Sequence, residues 1–285
     1  MPTHVVGFVS SLCQGPLTTG LGAVTAARAG FGIRVGWDVR LRIAVHTKAR
    51  KLEWDDVLAP GRGFCYGLLE RGAADLGARL HRDGWGPHGM VPFGYSAPVF
   101  PQARRRRGVY GTHGPGVVEL GSPMPAVVEG WAAALSATPV IGWGATALFV
   151  DQVQVLEAPN FSSGRASFRT VTPVVMKSSG RDDAGQRVQH QAWCLPGEPG
   201  WDVYVQGNLR RKAETLGLDA GIMLEAVSWV GPKRSFAVAA ANGPGGKKPG
   251  ACVEVTLSGP PETLSAVHSW GLGQANAAGM GWIGA

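Results

Sequence analysis

From Val39 to Val45 the chain alternates: Val39, Leu41, Ile43 and Val45 are apolar, and Arg40 and Arg42 stand between them. A period of two places the apolar set on one face, which predicts a half-buried strand. Between Pro60 and His81 the period changes. Phe64, Leu68 and Leu69, then Leu76 and Leu80, recur at helical spacing after Asp55 and Asp56, residues suited to capping. Gly72 interrupts this stretch and predicts that one helix ends there and a second begins. Val91 to Phe100 and Gly116 to Leu120 read as strands, Pro125 to Leu135 as a helix, and Ala145 to Leu156 as a strand. The order is β-α-β-β-α-β, the ferredoxin-like unit.

The pattern then recurs more loosely. Phe168 to Met176 reads as a strand and Trp201 to Leu216 as a helix. Met223 to Ala241 and Ala251 to Leu257 read as a long hairpin around a turn from Asn242 to Pro249. Pro260 to Trp270 reads as a helix and Met280 to Ile283 as a last strand. The predicted fold is therefore α+β, two tandem ferredoxin-like (RNA-recognition-motif-like) domains over 39–158 and 159–285, ending in a glycine-rich loop. Residues 1–38 mix Gly, Ala, Thr and Ser with neither period and lack a basic n-region, so they read as a disordered or non-native extension rather than a signal peptide.

Composition narrows the function. With 45% apolar and 16% charged residues, wholesale disorder is disfavoured. A net charge of +7 and a pI near 9.5 favour polyanionic partners. Cys13, Cys65, Cys194 and Cys252 form no C-x-x-C pair, which disfavours a metal site or a disulfide framework and suits a reduced, cytoplasmic interior. No cofactor is implied, and no apolar run reaches membrane-spanning length.

Near the C-terminus stands Gly271-Leu-Gly273-Gln-Ala-Asn-Ala-Ala-Gly279-Met-Gly281-Trp282. Such a loop can offer backbone N–H groups to phosphates, or be a glycine-rich turn in a glycine-rich chain. It resembles the C-terminal motif of CRISPR-associated repeat-processing endoribonucleases of the repeat-associated mysterious protein superfamily. Phe93-Gly-Tyr95-Ser96, Ala158-Pro159-Asn-Phe161 followed by Phe168 to Val175, and Gly231-Pro232-Lys233-Arg234 resemble further segments of that family in the same order. The resemblance covers about residues 39–284.

The resemblance implies a metal-independent endoribonuclease that matures CRISPR RNA. The 2′-hydroxyl attacks the adjacent phosphate, leaving 2′,3′-cyclic phosphate and 5′-hydroxyl ends. Proton transfer and stabilisation of phosphate charge are then the tasks of the site. His81 occupies the family's catalytic histidine position; an imidazole ordinarily titrates near pH 6.5, suited to this work. Tyr66 matches the aromatic partner of some members. On one unbroken helix the two would lie roughly 22 Å apart, so they share a site only if the chain folds back near Gly72. The lysine that often follows the histidine is missing; His88 is the substitute expected, with Arg82 an alternative.

For RNA binding the resemblance and the charge pattern together nominate the loop glycines Gly271, Gly273, Gly279 and Gly281, the hairpin residues Lys233, Arg234, Lys247 and Lys248, and the run Arg104, Arg105, Arg106 and Arg107. Arg210, Arg211 and Lys212 are further candidates, whereas His4, His46, His113, His190 and His268 read as structural or surface residues. The expected partner is CRISPR repeat RNA, with other effector-complex subunits as further partners. The alternative is a non-catalytic repeat-binding or backbone subunit.

Overall fold

The computed structural model describes residues 39–104, 106–177, 193–238 and 246–284; the extension at 1–38 and Arg105 lie outside the described residues. The first half runs β1 (Val39–His46), β2 (Lys51–Leu52), α1 (Ala59–Gly72), α2 (Ala74–Arg82), β3 (Gly94–Tyr95), β4 (Tyr110–Gly111), β5 (Gly116–Ser122), α3 (Pro125–Leu135), β6 (Val140–Trp143) and β7 (Thr146–Leu156). The alternation in β1 works as expected: Leu41, Ile43 and Val45 are fully buried, each contributing about 1.5–3 kcal/mol. Antiparallel pairing gives the order β3-β5-β1-β7-β6, the ferredoxin-like arrangement with one added edge strand.

That edge strand was not legible. Gly144, at φ 59°, turns β6 into β7, so the strand predicted at 145–156 is β7, with β6 as an unpredicted hairpin partner before it. The predicted strand 91–100 is also shorter than expected. Pro92 and Pro98 have no N–H to give, so regular pairing is confined to Gly94 and Tyr95, with one bridge from Val99 to Val117.

The second half runs β8 (Arg165–Arg169), β9 (Met176–Lys177), β10 (Trp193–Cys194), α4 (Trp201–Leu216), β11 (Met223–Val230), β12 (Arg234–Val238), β13 (Gly246–Gly250), β14 (Val253–Ser258) and α5 (Pro261–Trp270). Its sheet has the order β11-β14-β8. The predicted long hairpin divides: β11 pairs with β14, while β12 pairs with β13 as a second ladder. Lys247, Lys248 and Pro249 are thus strand residues, not the turn expected of them; the turn itself lies partly outside the described residues.

The predicted last strand is not a ladder. Residues 281–284 run beside 169–173 through single bonds such as Gly281 N to Pro173 O (2.9 Å) and Val171 N to Trp282 O (2.8 Å), and a bridge from Thr170 to Ile283. Pro173 and the positive φ of Gly281 (65°) prevent regular pairing.

The second half also reaches onto the first-half sheet. A Cβ at Gly121 would lie 2.3 Å from Ser269 O, and one at Gly94 would lie 2.5 Å from Trp270 O. Glycine at both positions lets the end of α5 lie against β3 and β5. The buried Arg40 guanidinium sits 4.2 Å from the Trp282 ring and donates to the Ile283 and His268 carbonyls. This part of the first sheet is therefore covered by protein and is not an open platform for RNA.

Candidate active site and nucleic-acid interface

Helix α1 presents Arg62 and Tyr66 four residues apart, hence on one face. Ala73 leaves the helical conformation (φ −159°, ψ 62°), so the chain turns between α1 and α2. Three glycines make the corner tight. A Cβ at Gly72 would lie 1.9 Å from Gly130 O of α3, one at Gly130 would lie 2.7 Å from Ala73 Cβ, and one at Gly77 would lie 2.9 Å from Leu69 Cβ.

The fold-back brings the His81 ring to 5.0 Å from that of Tyr66, edge to face. The Arg62 guanidinium stands over Tyr66, 5.2 Å from the ring centroid. The Tyr66 hydroxyl reaches toward Leu80 O at 3.5 Å, a weak bond, and its ring also packs on Phe93. Partial burial pushes the Tyr66 phenol pKa up, with Arg62 opposing; the phenol is therefore held protonated as a donor at neutral pH. His81 is exposed, and among the described residues its imidazole nitrogens have no hydrogen-bond partner.

Further positive charge reaches Arg62 from the other half of the chain. Desolvation lowers the Lys248 pKa, and the neighbouring charges of Lys177 and Arg62 lower it further. The hairpin lysine thus feels both a β9 lysine and the α1 arginine that stands over Tyr66. Neither Arg62 nor Lys177 was singled out from the sequence. Arg62 could have been, because it precedes Tyr66 by one helical turn.

His88 is placed differently. Its Nε2 lies 2.6 Å from Glu214 Oε2 of α4. The loop around it is a small hairpin closed by Trp85 and Met90, seated so closely on α4 that a Cβ at Gly86 would lie 2.5 Å from Thr215 O. No contact joins His88 to Tyr66 or His81 among the described residues. Arg82 is exposed and paired with its neighbour Asp83.

The glycine-rich loop departs from its expected duty. Gly271, Gly273, Gly279 and Gly281 are all buried with positive φ (103°, 68°, 79° and 65°). Many of the loop's N–H groups are already used: Leu272 N bonds Gly281 O, Gln274 N bonds Val175 O, Gly279 N bonds Asn276 O and Trp282 N bonds Thr172 Oγ1. Two residues hold it: Asn276, which was not singled out from the sequence, and Lys212, which was expected to contact phosphate. Asn276 Nδ2 donates to Leu272 O (2.9 Å) and Met280 O (2.8 Å). Lys212 Nζ donates to Gly271 O and Asn276 Oδ1, both at 2.7 Å, above the Trp270 ring.

Lys212 is therefore no phosphate contact. Val205, Leu209 and Lys212 share the inward face of α4, and burial pushes the Lys212 pKa well down. The i, i+4, i+7 spacing was the available signal.

The other basic candidates are at the surface. Lys233 and Arg234 are exposed, Lys233 lying 3.3 Å from Glu198; Lys247 is exposed and Lys248 half-buried on β13. Arg104, Arg106 and Arg107 are exposed in the connection from β3 to β4, where Gly108 (φ 77°) turns the chain. His46 pairs with Asp151 (2.8 Å) and His268 is buried, while His4 and His190 lie outside the described residues. No helix among the described residues is long and apolar enough to cross a membrane.

Residues 156–284 match the family model described as "CRISPR associated protein Cas6, C-terminal". A search of curated proteins finds no match. Among solved structures, one titled "CRISPR associated protein Cas6" is similar with a TM-score of 0.65 at 16% identity, over 87% of this chain and 98% of that one. "An RAMP protein binding different RNA substrates" is similar at 0.69 and 12% identity, over 86% and 98%. The product of a Cas6-related gene from Pyrococcus furiosus is similar at 0.67 and 12%, over 87% and 98%. At these identities the structures establish a shared fold. Residues 156–284 are thus similar to the C-terminal part of Cas6, and the chain shares the fold of these structures.

Proposed function

We propose that the chain cuts CRISPR repeat RNA in its precursor transcript, without a metal, at the corner between α1 and α2. The observation that carries this reading is the row Arg62–Tyr66–His81, in which a cation, a protonated phenol and an exposed imidazole touch in sequence. The family match supports it, and so does a similar structure titled as a Cas6 product complex (TM-score 0.52, 18% identity, 86% of this chain and 98% of that one).

His81 exchanges protons with the 2′-hydroxyl or the departing 5′-oxygen. The 2′-oxygen bonds to phosphorus as the phosphorus–5′-oxygen bond breaks, and each oxygen's proton is lost or gained through the site. Tyr66 donates a hydrogen bond to the phosphate. Arg62, supported by Lys248, offsets the extra negative charge, the part first expected of His88. The second reading is a repeat-binding subunit that does not cut, and it is favoured by His81 having no hydrogen-bond partner among the described residues.

The test is incubation of the purified protein with its own locus's repeat RNA in excess EDTA. One cut ending in a 2′,3′-cyclic phosphate is expected. Tight binding with no cut would move the protein to the second reading, and absence of both would sink the assignment to repeat RNA.

A further inference from the structure

Away from the His81 corner, a groove of about 710 Å³ opens between the arginine-bearing connection and hairpin β12–β13. Its size is within the range of ligand pockets. Arg104, Arg106 and Arg107 stand on one wall and Arg234 on the other. Among the described residues none of these four guanidinium groups is paired with a carboxylate. The open face of the second sheet shows the contrast, because Arg165 is held by Glu225 and Arg169 lies near Glu254. The groove is where cations are free to meet a phosphate chain.

The floor is aromatic. Trp54 is 42% exposed, far more than a tryptophan held for packing. Tyr110 fixes it edge to face at 5.6 Å, and the Tyr110 hydroxyl is itself tied to Pro98 O at 2.7 Å. Phe236 lines the same space from β12. Exposed planar rings within a frame of unpaired guanidinium groups match the chemistry of a single strand, whose bases stack while its phosphates take the arginines. An acidic protein segment would match the arginines but would leave Trp54 without a partner plane.

Resting on the reading of the chain as an RNA-binding protein, we propose that this groove holds an unpaired nucleotide of the RNA, stacked on Trp54, with its phosphates on Arg106, Arg107 and Arg234. The hairpin links it to the cleavage corner: Phe236 faces the groove, and its cross-strand partner Lys248 shares the field of Arg62. The strand is thereby anchored at a second point outside the cut.

The experiment places 2-aminopurine, one position at a time, at the unpaired positions of the repeat RNA and follows its emission on binding. One position is expected to be quenched. Trp54→Leu should restore emission at that position and weaken binding about tenfold, within the range for one lost stacking contact. Arg106→Ala and Arg107→Ala should each reduce the salt slope of binding by about one. Trp229→Leu, a comparably exposed tryptophan on β11, serves as the control and should change neither readout. Because Trp54 is exposed, its variant should melt as the parent does. RNA bound by Trp54→Leu and by both arginine variants with parental affinity and quenching would overturn the groove while leaving the proposed function standing. Loss of a protein partner by those variants with RNA binding intact would also overturn it. Failure of the parent to bind repeat RNA would instead remove the reading on which it rests.

Discussion

Two regions of this chain contain its most suggestive residues, and they behave in opposite ways. At the α1–α2 corner, His81 is exposed and, among the described residues, has no hydrogen-bond partner, while Tyr66 meets both a cation and an imidazole. In the loop from Gly271 to Gly284 nearly every residue is buried, and Asn276 and Lys212 tie the backbone together. The loop has the more conspicuous sequence and the corner the more conspicuous chemistry. A dense glycine motif records where backbone must approach backbone; that need is steric and says little about the ligand. Reactive groups must stay open to substrate, so fewer neighbours constrain them and they leave a fainter pattern.

The largest effect should come from forcing a side chain into the loop. A Cβ at Gly281 would lie 1.8 Å from Leu272 O, at a φ of 65°. Gly281→Ala should therefore cost about 4 kcal/mol or more, from overpacking plus left-handed strain, read as a collapse of the urea midpoint. A Gly281→Ala protein as stable as the parent would erase the contrast with the corner.

Next is a pH effect on the helix that leads into the loop. The His268 ring packs against those of Phe161 (5.8 Å) and Phe168 (6.1 Å), and burial pushes its pKa down to about 3, with Arg40 contributing. The unfolded chain titrates near 6.5, so between these values it holds a proton that the folded chain does not. Stability is full above about pH 6.5 and falls as pH drops toward 3, by roughly 3 kcal/mol at pH 4.5. Urea midpoints at pH 7.5 and 4.5 measure this, and His268→Gln should flatten the difference.

Asn276→Ala should cost about 2 kcal/mol, since it leaves two carbonyls and the Lys212 ammonium short of partners; the same denaturation experiment reads it. The smallest effect belongs to His88→Ala. Its pair with Glu214 is largely at the surface, so loss of stability should stay under about 1 kcal/mol. A large fall in cleavage rate in this variant would return His88 to the site in place of Arg62.

Much of the architecture was legible because period and punctuation agree. Helices α3 and α4 occupy the predicted spans, and the break at Gly72 is where α1 ends. Strand β6 was missed because four residues before a glycine turn carry too short a pattern, and the last strand was overcalled because its apolar residues are buried without forming a ladder. Tyr66 and His81 were nominated through resemblance, and the structure places their rings in contact. Arg62 and Lys177 were not found, because their meeting with Lys248 depends on how the two halves fold together. Lys212 was misjudged for a simpler reason: its charge was weighed and its place in the apolar stripe of α4 was not.

We propose that the corner does chemistry and the loop does not. The direct measurement is the single-turnover cleavage rate of His81→Ala on repeat RNA, taken at saturating protein with the melting temperature recorded alongside. The account predicts a rate reduced about 10²- to 10⁴-fold, the usual contribution of a general acid or base, in a protein that melts as the parent does. Cleavage by His81→Ala at the parental rate would contradict it.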